Sequence, residues 1–203
     1  AYVQSLAEEY DGYGRTRQFH STRGDVITID GGTYGSKMDR KKETVYLMEH
    51  LPDPGVHTGT PQTHIPSYER EAFCYGKNDI GDTYIEVDMT EQKMYYYEKG
   101  VLKLETEIVT GNMRRRMGTP EGVNFVYNKQ KNRVLRGPGY ASPVKFWMPV
   151  KGGIGIHDAG WRKEFGGDIY QTAGSHGCIN TPKDKMEELF DCVQIGTPVV
   201  MFY

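Results

Sequence analysis

Residues 81–203 are expected to fold as a mainly β domain with one helix near its C-terminal end, and residues 1–80 as a small α+β unit in front of it. Three observations lead there. Thr83-Tyr84-Ile85-Glu86-Val87-Asp88 alternates with period two, and the segments 93–98 and 101–110 flank the turn pair Lys99-Gly100, which reads as a hairpin. Only one stretch of this half has clear helical periodicity, with Met186, Leu189, Phe190 and Val193 on one face. In the first half, short helical and short alternating segments are interleaved with Gly and Pro punctuation.

Taken in order, 3–10 reads as a short helix. Asp25-Val26-Ile27-Thr28-Ile29 alternates as a strand and is closed by Asp30-Gly31-Gly32. A helix fits 40–51, with Val45, Met48 and Leu51 at helical spacing, ended by Pro52 and Pro54. Pro61 and Pro66 mark extended chain. After the strand at 83–88 and the hairpin, further strands are expected at 122–127, 153–157 and 197–203. The helix at 182–193 has Thr181 as its expected N-cap, Pro182 at its first position and Gly196 past its end.

The chain has 203 residues, with 37% hydrophobic and 26% charged, the balance of a folded globular protein. A net charge of -2 gives no general attraction to nucleic acid or an anionic membrane. No apolar run approaches the ~20 residues of a membrane span, and no export signal is visible. The three cysteines, Cys74, Cys178 and Cys192, are odd in number and widely spaced, so no disulfide framework is implied.

Chemistry concentrates in Ser175-His176-Gly177-Cys178-Ile179-Asn180, with His157 at the end of the preceding strand. A cysteine nucleophile needs a base, backbone N–H groups to hold an oxyanion, and access for substrate. Cys178 lies just ahead of the helix at 182–193, whose dipole would favour a thiolate. Gly177 allows a sharp turn, and the N–H groups of Gly177 and Cys178 could form the oxyanion hole. Either His157 or His176 could be the base, and Asp158 could orient His157 by side chain or by carbonyl. A zinc site of His157, His176 and Cys178 would lack an evident fourth ligand. Cys74 and Cys192 read as structural, and Trp147 reads as core. Trp161, Phe165 and Tyr170, with Gly166-Gly167 between, could wall a groove, and Arg114-Arg115-Arg116 could meet carboxylates.

The stretch from His157 to Asn180 resembles the signature of the L,D-transpeptidases, the YkuD-like family. It has a His, a spacer in the upper teens (158–174), then Ser-His-Gly-Cys, one variable residue and Asn. Residues 82–203 look like that catalytic domain. The segment from Asn78 to Glu86 resembles its start in two-domain Gram-positive members, and Gly31-Gly32-Thr33-Tyr34-Gly35 resembles the end of the peptidoglycan-binding or spacer domain before it.

The resemblance implies a mixed β-sandwich with one helix after the catalytic cysteine. It implies Cys178 as nucleophile, His157 as general base and then acid, and Asp158 or a backbone carbonyl as the group that orients that His. Backbone N–H groups around His176, Gly177 and Cys178 would hold the oxyanion, and Ser175 would line the site. Trp161, Tyr170 and Asn180 would contact substrate, with Asn180 either holding the loop or capping the helix. The implied activity is a peptidoglycan cross-link between third residues of two stem peptides, with release of D-Ala and no cofactor or metal. Carbapenem β-lactams would acylate Cys178. The location would be extracytoplasmic, in the wall or at the outer face of the cytoplasmic membrane, with a membrane anchor supplied by a segment not present here. Two alternatives are a carboxypeptidase or cysteine amidase of stem peptides, and a wall-binding protein without catalysis.

Overall fold

The computed structural model of the chain describes residues 1–50, 63–137 and 139–203. Leu51, Pro52, Pro54 and Pro61, read above as the end of a helix and the chain after it, lie outside them.

The first part contains α1 (Tyr2–Tyr10), β1 (Arg17–His20), β2 (Val26–Ile29), β3 (Lys37–Met38), α2 (Arg40–His50) and β4 (Tyr68–Arg70). The second contains β5 (Tyr84–Asp88), β6 (Lys93–Glu98), β7 (Val101–Glu107), β8 (Gly122–Phe125), β9 (Gln130–Gly137), β10 (Tyr140–Lys151) and β11 (Ile154–Asp158). It continues with α3 (Ile169–Ala173), β12 (Ile179–Thr181), α4 (Lys183–Cys192) and β13 (Pro198–Phe202). Among the described residues no helix is long and apolar enough to cross a membrane.

Two sheets form the second part, a five-stranded one in the order β7-β6-β5-β13-β8 and a four-stranded one in the order β12-β11-β10-β9. Their inner faces meet in one core. Ile85, Val87, Met94, Tyr96, Val199 and Met201 come from the first sheet, and Phe146, Met148, Ile156 and Ile179 from the second. Helix α4 closes the core with Met186, Leu189 and Phe190, each at helical spacing and buried. Burying side chains of this kind contributes about 1.5–3 kcal/mol each. Lys99 and Gly100, at φ 51° and 75°, make the two-residue turn that sequence placed between β6 and β7.

The outer face of the five-stranded sheet is covered too. Phe19, Ile29 and Tyr34 of the first part share a core with Val123, Val200 and Phe202. Strand β5 therefore buries both its apolar and its polar positions. The Glu86 carboxylate accepts the N–H and hydroxyl of Thr22, at 2.8 and 2.7 Å. Arg23 pairs with the buried Asp88 at 3.1 Å. Gly32 bridges to Val123, where an added Cβ would fall 2.0 Å from the Val123 carbonyl oxygen. A separate small core joins Val3 and Ala7 of α1 to Met38, Leu47 and Tyr68.

Two local readings are corrected. In α2, Val45 and Met48 are exposed and the buried residue is Glu43, which accepts from the Ser67 N–H at 3.1 Å and contacts His64. A tertiary hydrogen-bond network there outweighs the apolar spacing. Thr181 does not cap α4. It stays in the β11–β12 ladder opposite Asp158, and Pro182 takes the N-cap position. Strands β9 and β10 form a long hairpin absent from the sequence reading, β9 being largely polar and exposed and β10 supplying Phe146, Met148 and Val150 to the core.

Candidate active site

The 158–174 excursion leaves from β11 and returns to β12, and these two strands pair in parallel. His157 lies opposite Asn180, and Ile156 opposite Ile179. That register brings Cys178, one residue before β12, to the same cavity as His157, 21 positions earlier in the sequence. Both line a cavity of about 620 Å³ with Tyr140, Trp147, Trp161, Ser175, His176 and Asn180.

His157 is buried at 4% exposure. Its Nδ1 donates to the backbone carbonyl of Asp158 at 2.9 Å. A carbonyl can only accept, so Nδ1 carries the hydrogen and Nε2 keeps the lone pair of a base. The carboxylate of Asp158 is engaged elsewhere, accepting the Phe146 N–H at 2.7 Å. The orienting group is thus the carbonyl. The chain's two tryptophans flank the imidazole, with ring centres 5.9 Å (Trp147) and 5.8 Å (Trp161) away. Burial in this apolar setting pushes the imidazole below its ordinary value, against the pull of the Asp158 carbonyl.

Cys178 is half-buried, with Sγ 3.7 Å from the Gly153 carbonyl. Burial pushes its thiol up, opposed by a backbone contact from Gly155. Helix α4, which sequence suggested would favour the thiolate, begins only at Lys183. Strand β12 separates the two, about 10 Å of extended chain. Both shifts favour the uncharged forms, a thiol and a neutral imidazole.

Two hydroxyls fix the backbone around the thiol. Ser175 Oγ donates to the Cys178 carbonyl at 2.6 Å and accepts the Gly177 N–H at 3.0 Å. This occupies the Gly177 N–H, which sequence had offered to the oxyanion. Thr119 Oγ1 donates to the Gly177 carbonyl at 2.8 Å and accepts the Gly111 N–H at 2.9 Å. A trans peptide points its C=O and N–H in opposite directions, so the Cys178 N–H points away from the buried Thr119. Gly177 holds φ 116°, a region that other residues rarely adopt. The chain after β7 holds the loop from the other side, through Val109–Asn180 and Thr110–Ser175 backbone bonds of 2.9 Å.

The remaining residues fall as follows. His176 is exposed and stacks on Tyr140 of the β9–β10 hairpin, centroids 4.6 Å apart, so His157 is the base candidate with the geometry. Among the described residues no group of three His, Cys, Asp or Glu side chains gathers as a metal site. Asn180 is buried on β12 and does not cap α4; its Oδ1 has no hydrogen-bond partner and the residue lines the cavity. Trp161 lines the cavity, but Tyr170 does not: it lies on α3, where its carbonyl accepts from Met113 N–H. Cys192 is exposed on α4, and Arg114, Arg115 and Arg116 are exposed on a turn outside the cavity. Sequence reasoning missed Thr119, Tyr140, Arg133, Arg136 and Arg162. It also read Trp147, which is buried and faces His157, as core alone.

Residues 82–201 match the family profile "YkuD: L,D-transpeptidase catalytic domain". A solved structure of a cysteine-to-serine mutant of Enterococcus faecium L,D-transpeptidase is 39% identical. The match covers 99% of this chain and 79% of that one, at a TM-score of 0.86. The structure of the Ldtfm–avibactam carbamoyl enzyme is 40% identical, covering 100% of this chain and 78% of that one, at 0.86. The catalytic domain of the E. faecium enzyme acylated by ertapenem is 50% identical over 60% of this chain and 98% of its own length, at 0.55. No curated protein sequence matches. With its second part matched by the profile and its whole length matched by a solved member, the chain belongs to the L,D-transpeptidase (YkuD) family.

Proposed function

We propose that Cys178 is the nucleophile and His157 the general base and acid of a peptidoglycan L,D-transpeptidase. The chain's family is one of acyl transfer by cysteine. The observation that carries the residue assignment is the shared cavity of Cys178 and His157, with His157 Nδ1 held by the Asp158 carbonyl.

In the first half-reaction, His157 Nε2 takes the Cys178 thiol proton as Sγ attacks the carbonyl joining the third residue of a tetrapeptide stem to its terminal D-Ala. The tetrahedral oxyanion is held by the N–H groups of Cys178 and His176. His157 then gives its proton to the D-Ala nitrogen, the C–N bond breaks, and a thioester remains. In the second, a side-chain amine of another stem attacks the thioester and loses a proton to His157. The C–S bond breaks, the thiolate recovers that proton, and a cross-link joins two third residues. Water competing with the amine gives hydrolysis, so carboxypeptidase activity is expected as a side reaction. Asn180, Trp161 and Trp147 shape the substrate site, and Ser175 and Thr119 position the loop.

Residues 1–80 act as a spacer or peptidoglycan-binding unit docked on the back of the catalytic sheet. The substrate places the enzyme outside the cytoplasm. Relatives acylated by ertapenem and carbamoylated by avibactam support the expectation that β-lactam-type inhibitors acylate Cys178.

The test is intact-protein mass spectrometry after incubation with a carbapenem, on the wild type and on Cys178→Ala. One adduct on the wild type and none on the variant is expected. An adduct that survives in the variant, or none on a folded wild type, overturns the assignment. Product analysis with and without an amine acceptor then checks transfer, and hydrolysis alone would favour a carboxypeptidase.

A further inference from the structure

The walls of the catalytic cavity carry three arginines, Arg133, Arg136 and Arg162, and among its described lining residues there is no Asp or Glu. The chain as a whole is slightly acidic, so this cationic character is local.

Arg162 is the least ordinary of the three. It is half-buried, and its Nε is out of solvent with no hydrogen-bond partner. One terminal nitrogen donates to the Ala173 carbonyl at 2.9 Å. Among the described residues no carboxylate lies within ion-pair distance of it. Of the other guanidiniums held against the fold, Arg17 and Arg23 have acidic partners, Asp79 and Asp88, Arg15 donates to the Glu9 carbonyl, and Arg70 lies over the rings of Tyr13 and Phe125. A guanidinium cannot shed its charge, and a buried N–H without an acceptor carries a desolvation cost. Arg162 lines the same cavity as His157 and Cys178.

We propose that Arg162 anchors a carboxylate-binding subsite of the cavity, with Arg133 and Arg136 as its outer cationic rim. Its ligand is a free carboxylate of the peptidoglycan stem, and in this respect the proposal rests on the transpeptidase reading. Arginine suits such a partner, because its planar fork can give two parallel hydrogen bonds to one carboxylate. In a tetrapeptide stem the terminal D-Ala carboxylate lies one residue beyond the scissile carbonyl, within one residue's reach of about 3.5 Å of extended chain. The carboxylate of a third-residue diamino acid is the other source of the same chemistry.

The test is calorimetric binding of stem tetrapeptides to the Cys178→Ala protein, which cannot turn them over. Three peptides are compared: one with both carboxylates, one with the D-Ala carboxyl amidated, and one with the third-residue carboxyl amidated. Each is measured with Arg162 intact, with Arg162→Gln and with Arg162→Lys. Loss of one charge-assisted pair should weaken the fully ionised peptide by about 10-fold or more in Arg162→Gln. Arg162→Lys should recover part of that loss. The amidated peptide that no longer responds to Arg162→Gln identifies which carboxylate is held, and its unchanged affinity shows that the cavity is intact. Equal loss for all three peptides, or no dependence on Arg162, overturns the proposal. The transpeptidase reading fails separately, through the absence of a Cys178 adduct in mass spectrometry.

Discussion

Thr119 donates a 2.8 Å hydrogen bond to the carbonyl of Gly177 and so sets the plane of the peptide whose N–H belongs to Cys178. The two residues are 58 positions apart in the chain, and Thr119 is buried at 2% exposure.

Thr119→Val removes that hold while keeping the shape of the side chain. The Cys178 N–H loses its fixed direction, and kcat should fall by about 10-fold or more, since removal of a whole oxyanion donor costs roughly 100- to 1,000-fold. KM should move little, because the ground state needs no oxyanion donor. Thr119→Ser keeps the hydroxyl and should restore most of the rate. Steady-state kinetics on the two variants decide it; parallel loss in both would point to packing alone.

Burial holds the His157 imidazole below its ordinary value. A lowered value means that the base stays neutral to more acidic pH, so the acid limb of kcat/KM should lie below about pH 6.5, the ordinary imidazole value. A pH–rate profile of acylation checks this. An acid limb above pH 7 would show that a different group titrates.

Burial also raises the Cys178 thiol. A raised value leaves less thiolate at any given pH, which disfavours a standing thiolate–imidazolium pair. Alkylation of Cys178 by iodoacetamide should still be climbing above pH 9. A plateau between pH 5 and 8 would mean that the ion pair exists at rest.

Arg17 ties the first part to itself. Its guanidinium bonds both oxygens of Asp79, at 2.8 and 2.5 Å, and the carbonyl of Gly12 at 2.7 Å. Both charged groups are buried. Arg17→Ala strands the Asp79 carboxylate and should destabilise by about 3–5 kcal/mol. Urea denaturation measures the loss, and a change under about 1 kcal/mol would show that water reaches Asp79 on removal of the arginine.

The His157–Cys178 pairing was legible because it rests on residue types in a fixed order, and the strands at 83–110 because they alternate or meet at Lys99-Gly100. The hairpin wall was not, since 130–137 is polar on both faces and its cavity role depends on pairing with β10. Thr119 and Arg162 escaped because their roles depend on what they face across the fold. In α2 the apolar spacing of Val45 and Met48 pointed to the wrong face, since the fold spends that helix on burying Glu43. Thr181 had the chemistry of a cap, but its ladder partner, Asp158, claimed it first.

The parallel register of His157 with Asn180 has a consequence for how such an enzyme can vary. His157 and Cys178, the proposed base and nucleophile, are spaced by neighbouring strands, and the loop from 159 to 174 connects them. Lengthening a closed loop costs little, about 0.6 kcal/mol per doubling. Residues can therefore be inserted, removed or exchanged around Trp161 and Arg162 without altering the spacing of the reacting atoms. The spacing of the proposed reacting pair is kept by the sheet and the cavity wall at Trp161 and Arg162 by the loop, so selection can rewrite one while the other stays fixed.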